Sequence, residues 1–397
     1  MRNVPSTPPL APSFAQTVRI TAAGLACMLV GIGLARFGFM PMIPLLVERS
    51  GFTPHHAALL GGANFLGYLG GTLIMRRRGA TVPVRLGSVL MLLGATASFL
   101  AFLWTHSFAQ LALWRWLSGA VGAGLMVLVG PAVLESVPPQ WRGRCSGLVF
   151  AGIGVGALLS GALTPLLLPL GTDAIWLGFA LIAGLAAVLA GFGLPNLRRP
   201  SITSTQTENH HMDATAVRVV LAYGCCGFGF VPHALLWSDF VARELGRGVG
   251  GGASQLILLG GGAAIGPAVL GLMADRIGFR RAFWMALLAM AASVAMPLLS
   301  VAAPALIVSS VLTGALGIGL VTLASGRLGE LLPRAAMTRA WATATLSFAG
   351  AQAAGALSLP WLLVRPHGSA MVFALASAVL IAGAVLGGWP RSAVTKR

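Results

Sequence analysis

Charge is the scarcest commodity in this 397-residue sequence. Asp, Glu, Lys and Arg make up only 9% of it, against about 25% in a soluble domain. With 57% hydrophobic residues and a mean hydropathy of +0.87, the chain falls outside the ordinary water-soluble class. Lysine is nearly absent: Lys396 is the only one, so no Walker-type phosphate loop can be built and ATP-driven work by this chain is excluded. Gly246-Arg-Gly-Val-Gly-Gly251 matches Gly-x-Gly-x-x-Gly in form, but no strand precedes it and it carries no nucleotide reading. The four cysteines, Cys27, Cys145, Cys225 and Cys226, lie in or at the edge of apolar runs. They lack metal-site spacing and read as small packing residues. His210-His211 lies in a polar stretch and reads as solvated loop. No deep nucleophile–base pair supports an enzyme, and neither cofactor nor metal is expected. Met1 to Thr17 is rich in Pro, Ser and Thr and lacks a signal-peptide pattern.

What is present is a succession of apolar runs near the length of about 20 residues that a bilayer core requires. About twelve can be marked: Thr21–Val47, Ala57–Met75, Leu86–Thr105, Phe108–Leu134, Cys145–Leu170, Ala174–Leu194, Val217–Val241, Ala253–Ala274, Ala282–Val301, Ala303–Ser325, Ala340–Val364 and Ser369–Trp389. The expectation is an all-α integral membrane protein. The formal net charge of +17 does not point to nucleic acid. The basic clusters Arg76–Arg78, Arg142/Arg144, Arg198/Arg199, Arg276/Arg280/Arg281 and Arg334/Arg339 fall on one set of loops, the asymmetry that marks the cytoplasmic side. An even number of spans then places both termini there.

The polar stretch Pro195 to Ala216 divides the spans six and six, and the halves repeat one another. Phe37-Gly-Phe-Met-Pro41 matches Phe228-Gly-Phe-Val-Pro232. Gly61-Gly62-Ala63 matches Gly261-Gly262-Ala263, and Ser118-Gly119 through Leu125 matches Thr313-Gly314 through Leu320. Glu135, Pro138 and Arg144 keep their spacing in Glu330, Pro333 and Arg339. The expected organisation is a tail over 1–17, a six-helix bundle over 18–194, a linker over 195–216, a second pseudo-symmetric six-helix bundle over 217–389 and a tail over 390–397. Two parallel halves of this kind enclose a central site at mid-bilayer.

The loop Gly271-Leu-Met-Ala-Asp275-Arg276-Ile-Gly278-Phe-Arg280-Arg281 resembles the cytoplasmic loop signature of the major facilitator superfamily, with Phe279 in place of one basic residue. The first-half copy, Gly71 to Gly79, has Met75 where that signature has Asp. Arg115 followed by Gly119, Gly122 and Gly124 is similar to the superfamily's span-four motif. Span five has Gly152, Gly154, Gly156 and Gly161 but lacks the Gly-Pro pair of the superfamily's antiporters, which disfavours a drug/proton antiporter. Ala35-Arg36-Phe37 with Pro41 and Pro44, together with Tyr223 and Gly227-Phe-Gly-Phe230, resembles the YbfB/YjiJ-type branch. That resemblance covers essentially the whole chain. It implies a secondary transporter working by alternating access, with Asp275, Arg276, Arg280 and Arg281 forming a cytoplasmic gate against Glu135 and Glu330.

Polar side chains at membrane depth are few, and such residues default to function. Arg36 sits near the middle of span one beside glycines and two prolines, and Arg115 lies in span four. Asn64 and Tyr68 share a face of span two, His233 and Trp237 share one in span seven, and Gln352 lies in span eleven. These seven are the expected solute-binding residues. Asp239 with Arg243 reads as a surface pair. No Asp or Glu sits at the centre of any span. Two deep arginines without a deep carboxylate favour an anionic or zwitterionic solute over an organic cation. The alternatives are a non-transporting receptor on the same fold and a drug or metabolite efflux carrier. Expected partners are a small-molecule solute and the lipid bilayer, with no nucleic acid. The expected setting is the bacterial inner membrane, the working unit a monomer.

Overall fold

In a chain this apolar, the backbone must satisfy its own hydrogen bonds, and helices do so within one segment. The computed structural model describes residues 13–49, 51–105, 107–197 and 212–388, and its elements among these are helical. Eleven helices are long and apolar enough to cross a membrane. In chain order they are α1 (Phe14–Glu48), α2 (Pro54–Arg78), α3 (Val84–Leu103), α4 (Phe108–Ser136), α5 (Pro139–Leu170), α6 (Thr172–Gly193), α7 (Ala214–Glu244), α8 (Gly248–Ile277), α9 (Phe279–Leu299), α10 (Ala303–Leu331) and, last, α12 (Gly368–Gly388). Between the last two lies α11 (Arg334–Ser358), whose 25 residues are rich in Ala, Thr and Ser. It is long enough, at about 1.5 Å per residue, to cross a core of about 30 Å, but less apolar than its neighbours.

Capping explains why α1 and α7 start earlier than the apolar runs. Ser13 Oγ accepts from the Gln16 N–H at 3.2 Å and Asp213 Oδ1 from the Ala216 N–H at 2.7 Å. Each satisfies an orphan donor of a first turn. Helix thus begins at Phe14 and Ala214, inside the stretches read as tail (1–17) and linker (195–216), because hydropathy marks the apolar segment and not the cap. Arg198, Arg199 and the His210-His211 pair lie outside the described residues, as do 1–12 and 389–397.

The helices before the linker pack on one another, as do those after it, giving two six-helix bundles. The duplicated glycines make the same contact in each. A Cβ on Gly119 of α4 would stand 1.9 Å from the Asn64 carbonyl oxygen of α2, and one on Gly314 of α10 would stand 2.0 Å from that of Leu259 of α8. Only glycine permits helices to approach so closely. The bundles meet along two seams, α5 against α8 and α2 against α11.

α1 and α7 are both broken beside the repeated Phe-Gly-Phe-x-Pro segment. α1 widens into a π-helix over Leu29–Phe37 and turns at residues 38–41 before continuing from Met42. α7 widens at Pro232–Leu236 and again at Phe240–Glu244. Pro41, Pro44 and Pro232 offer no N–H to the ladder, and the wide turns accommodate that loss.

Consecutive helices reverse direction, so the start of α1 and the end of α12 share one end of the molecule. The exposed Arg76–Arg78, Arg142, Arg144, Arg276 and Arg281 lie at that end. At the opposite end the halves are closed together. His55 Nδ1 lies 3.3 Å from the Pro360 carbonyl oxygen, the His55 and Trp361 rings are 4.3 Å apart, and α1 beyond its break meets α7 beyond its own.

Candidate functional site

The π-helical turn of α1 carries Arg36 to the boundary between the halves. There it is 8% exposed, and its Nη1 donates to Gln352 Oε1 of α11 at 3.0 Å. Its guanidinium lies 4.6 Å from the Phe65 ring centroid and 4.8 Å from that of Tyr68, both on α2. These cation–π contacts stabilise a desolvated charge by about 2 kcal/mol each, less than the hydration it gives up. Its Nε has no partner among the described residues, and neither does Gln352 Nε2. Both are donors, so the junction between the halves is short of an acceptor.

Arg115 is buried one helix away. Its Nη1 donates to the Ala35 carbonyl oxygen at 2.6 Å, its Nε to that of Leu60 at 3.4 Å, and its guanidinium lies 4.3 Å from the Phe39 ring centroid. Asn64 Nδ2 donates to the same Ala35 oxygen at 3.3 Å and to Ser118 Oγ at 2.8 Å. Arg115 and Asn64 therefore tie α4 and α2 to the broken segment of α1. Neighbouring side chains serve irregular backbone in this way at membrane depth. Both guanidinium groups, those of Arg36 and Arg115, are buried. Among the described residues no carboxylate lies within 4 Å of either.

His233 and Trp237 form a separate cluster in the second half. Their rings stack at 4.3 Å and 25°. The His233 Nε2–Ser309 Oγ pair is 2.8 Å apart, and Trp237 Nε1 donates to Ser310 Oγ at 2.7 Å. Ser310 in turn donates to Gln255 Oε1 at 2.8 Å. This chain knits α7, α8 and α10. The seven sequence candidates thus fall into three groups: Arg36, Tyr68 and Gln352 at the junction, Arg115 and Asn64 just behind it, and His233 with Trp237 elsewhere. Sequence reasoning missed Phe65, Ser118, Ser309, Ser310 and Gln255. The repeat held a signal for one: the register that aligns Ser118 with Thr313 aligns Arg115 with Ser310, so both are span-four-type positions binding a broken helix of the same half.

One expectation is corrected. Asp239 is not on the surface: it is 4% exposed and pairs through both oxygens with Arg243 Nε and Nη2, at 2.5 and 2.6 Å. The pair is a helical i,i+4 neighbourhood turned inward at the wide end of α7. At the other end of the molecule, Glu330 pairs with Arg327 at 2.8 Å, three residues back on α10; the gate pairs are expected in one state only, and this conformation does not test them. Arg276 and Arg281 are exposed, as are Asp275 and Glu135, and Arg280 is half-buried. Among the described residues no ion pair joins Asp275, Arg276, Arg280 or Arg281 to Glu330.

Twelve long helices among the described residues, in two halves, broken in the first helix of each and meeting around a buried arginine, define a multi-pass membrane protein of the transporter type. The chain belongs to the major facilitator family described as "Uncharacterised MFS-type transporter YbfB", whose model matches residues 28–387. Among solved structures it is similar in fold to the human organic anion transporter MFSD10 (TETRAN), at TM-score 0.69 and 20% identity, over 96% of this chain and 100% of that one. No curated protein matches it in sequence.

Proposed function

We propose that this protein is a secondary carrier that moves a small organic anion or zwitterion across the bacterial inner membrane, by alternating access of its two halves. The observation that carries this reading is the junction at Arg36: a buried cation held between the halves, with unpartnered donors on Arg36 and Gln352 and no carboxylate within 4 Å among the described residues. A charge at this depth costs at least about 2.5–3.5 kcal/mol. A bound carboxylate would offset that cost by a bidentate, charge-assisted pair. The likeness to an organic anion transporter agrees with this reading.

The basic loops support a cytoplasmic position for both termini, and on this reading the carrier works as a monomer without ATP or nucleic acid. On that orientation the closed end, with His55 against Pro360 and Trp361, faces outward, which supports an inward-facing reading of this conformation. The cytoplasmic loop residues Asp275, Arg276, Arg280 and Arg281, unpaired with Glu330 here, close against Glu135 and Glu330 in the opposite state.

The test is a thermal-shift screen of the purified chain against organic anions, cations and neutral metabolites. A ligand at 100 times its Kd stabilises the protein by about 2.7 kcal/mol. The reading expects an anion to raise the melting temperature of the wild type and not of Arg36→Gln. It is refuted if anions leave the wild type unmoved while cations raise it.

A further inference from the structure

The chain contains two tyrosines, Tyr68 on α2 and Tyr223 on α7. They belong to opposite halves. Among the described residues neither hydroxyl has a hydrogen-bond partner. Their rings do have partners. The guanidinium of Arg36 covers Tyr68, and Tyr223 stacks on Phe348 at 4.8 Å and on Trp341 at 5.8 Å, each at 27°.

On α11, Trp341, Phe348 and Gln352 stand at i, i+7 and i+11, a single helical face. Phe348 is one turn from Gln352, and Gln352 accepts from Arg36. Trp341 lies toward the end where the termini meet, so the aromatic face runs about 16 Å, at 1.5 Å per residue, from that end up to the guanidinium. Trp341 and Phe348 are only half-buried, unlike the fully buried Phe37 and Phe65.

We infer that the solute is an aromatic carboxylate. Its carboxylate takes the free donors of Arg36 and Gln352, and its ring lies along the face made by Phe348 and Tyr223. This inference rests on the anion reading above. It adds the requirement for a π-system, because parallel rings of this kind favour another aromatic ring over a saturated one.

Binding of 3-phenylpropanoate and 3-cyclohexylpropanoate to the full chain in nanodiscs, read by calorimetry, tests it. The two probes share charge and length and differ in the ring. The wild type should prefer the phenyl compound by roughly two- to tenfold, the range an aromatic pair provides. Phe348→Leu should bind both with the preference gone, and Arg36→Gln should bind neither. Trp341→Leu, further from the junction, repeats the test if Phe348→Leu does not fold. If the wild type binds both probes equally, or the cyclohexyl compound more tightly, the aromatic inference is wrong and the anion reading stands. If folded wild type binds neither, both fall.

Discussion

Adjacent glycines on α8 make opposite demands on a methyl group. A Cβ on Gly260 would stand 2.4 Å from the Leu158 nitrogen and 2.7 Å from the Gly154 carbonyl oxygen, both on α5 of the other half. These are backbone atoms held in a helix, so relief requires the two helices to part by about 1 Å to reach ordinary contact. A Cβ on Gly261 meets nothing within 4 Å. Gly260→Ala should therefore destabilise by about 1–3 kcal/mol, the usual cost of overpacking, less the roughly 1 kcal/mol that Ala gains over Gly in a helix. Gly261→Ala should retain that gain and leave stability unchanged or slightly raised. Reversible unfolding in mixed detergent micelles, compared at equal protein concentration, reads both. Because α5 and α8 form a seam between the halves, Gly260→Ala should also slow any solute flux. Equal effects of the two substitutions would refute the close seam, and with it this packing of the halves.

Arg115→Met removes hydrogen bonds from a charged donor, each worth about 1.5–3 kcal/mol, and should lower the melting temperature while the anion-induced shift persists; loss of the shift in folded protein would move Arg115 into the solute site. Asp239→Asn should cost about 1.5–3 kcal/mol by the same reasoning, since the carboxylate is buried against Arg243; an unchanged unfolding midpoint would mean the pair is solvent-screened. Thr345 lies between Trp341 and Phe348 on the aromatic face and is half-buried. Thr345→Cys should react with a water-soluble maleimide in inside-out vesicles and be protected by 3-phenylpropanoate, whereas equal labelling with and without the probe would place that face outside the pathway.

Much of this fold was legible in the sequence because the bilayer imposes strong rules. The apolar runs, the basic loops and the internal repeat all reflect how costly it is to place polar backbone or charge in hydrocarbon. Arg36 stood out for the same reason, and so did its neighbour Tyr68. Its contact with Gln352 was not legible, since it joins residues 316 apart and depends on how the halves dock. The roles of Arg115 and Asn64 were hidden for a related reason. Both serve the Ala35 carbonyl, and a carbonyl leaves no mark in the sequence that says where its donors come from. His233 and Trp237 share a face, as their spacing requires, but their partners Ser309 and Ser310 carry no mark in a Leu- and Gly-rich helix. Asp239 was misplaced because proximity to the end of an apolar run does not tell which way a side chain turns once the helix widens.

The central claim is that Arg36 binds the carboxylate of a transported anion. Counterflow into proteoliposomes at pH 8 measures this directly, with labelled 3-phenylpropanoate and labelled hexanoate as probes and protein-free liposomes as the baseline. Wild type should accumulate at least one of the two saturably above baseline, and Arg36→Gln, folded to the same melting temperature, should not. Wild-type counterflow undiminished in Arg36→Gln would contradict the claim and return Arg36 to a structural role.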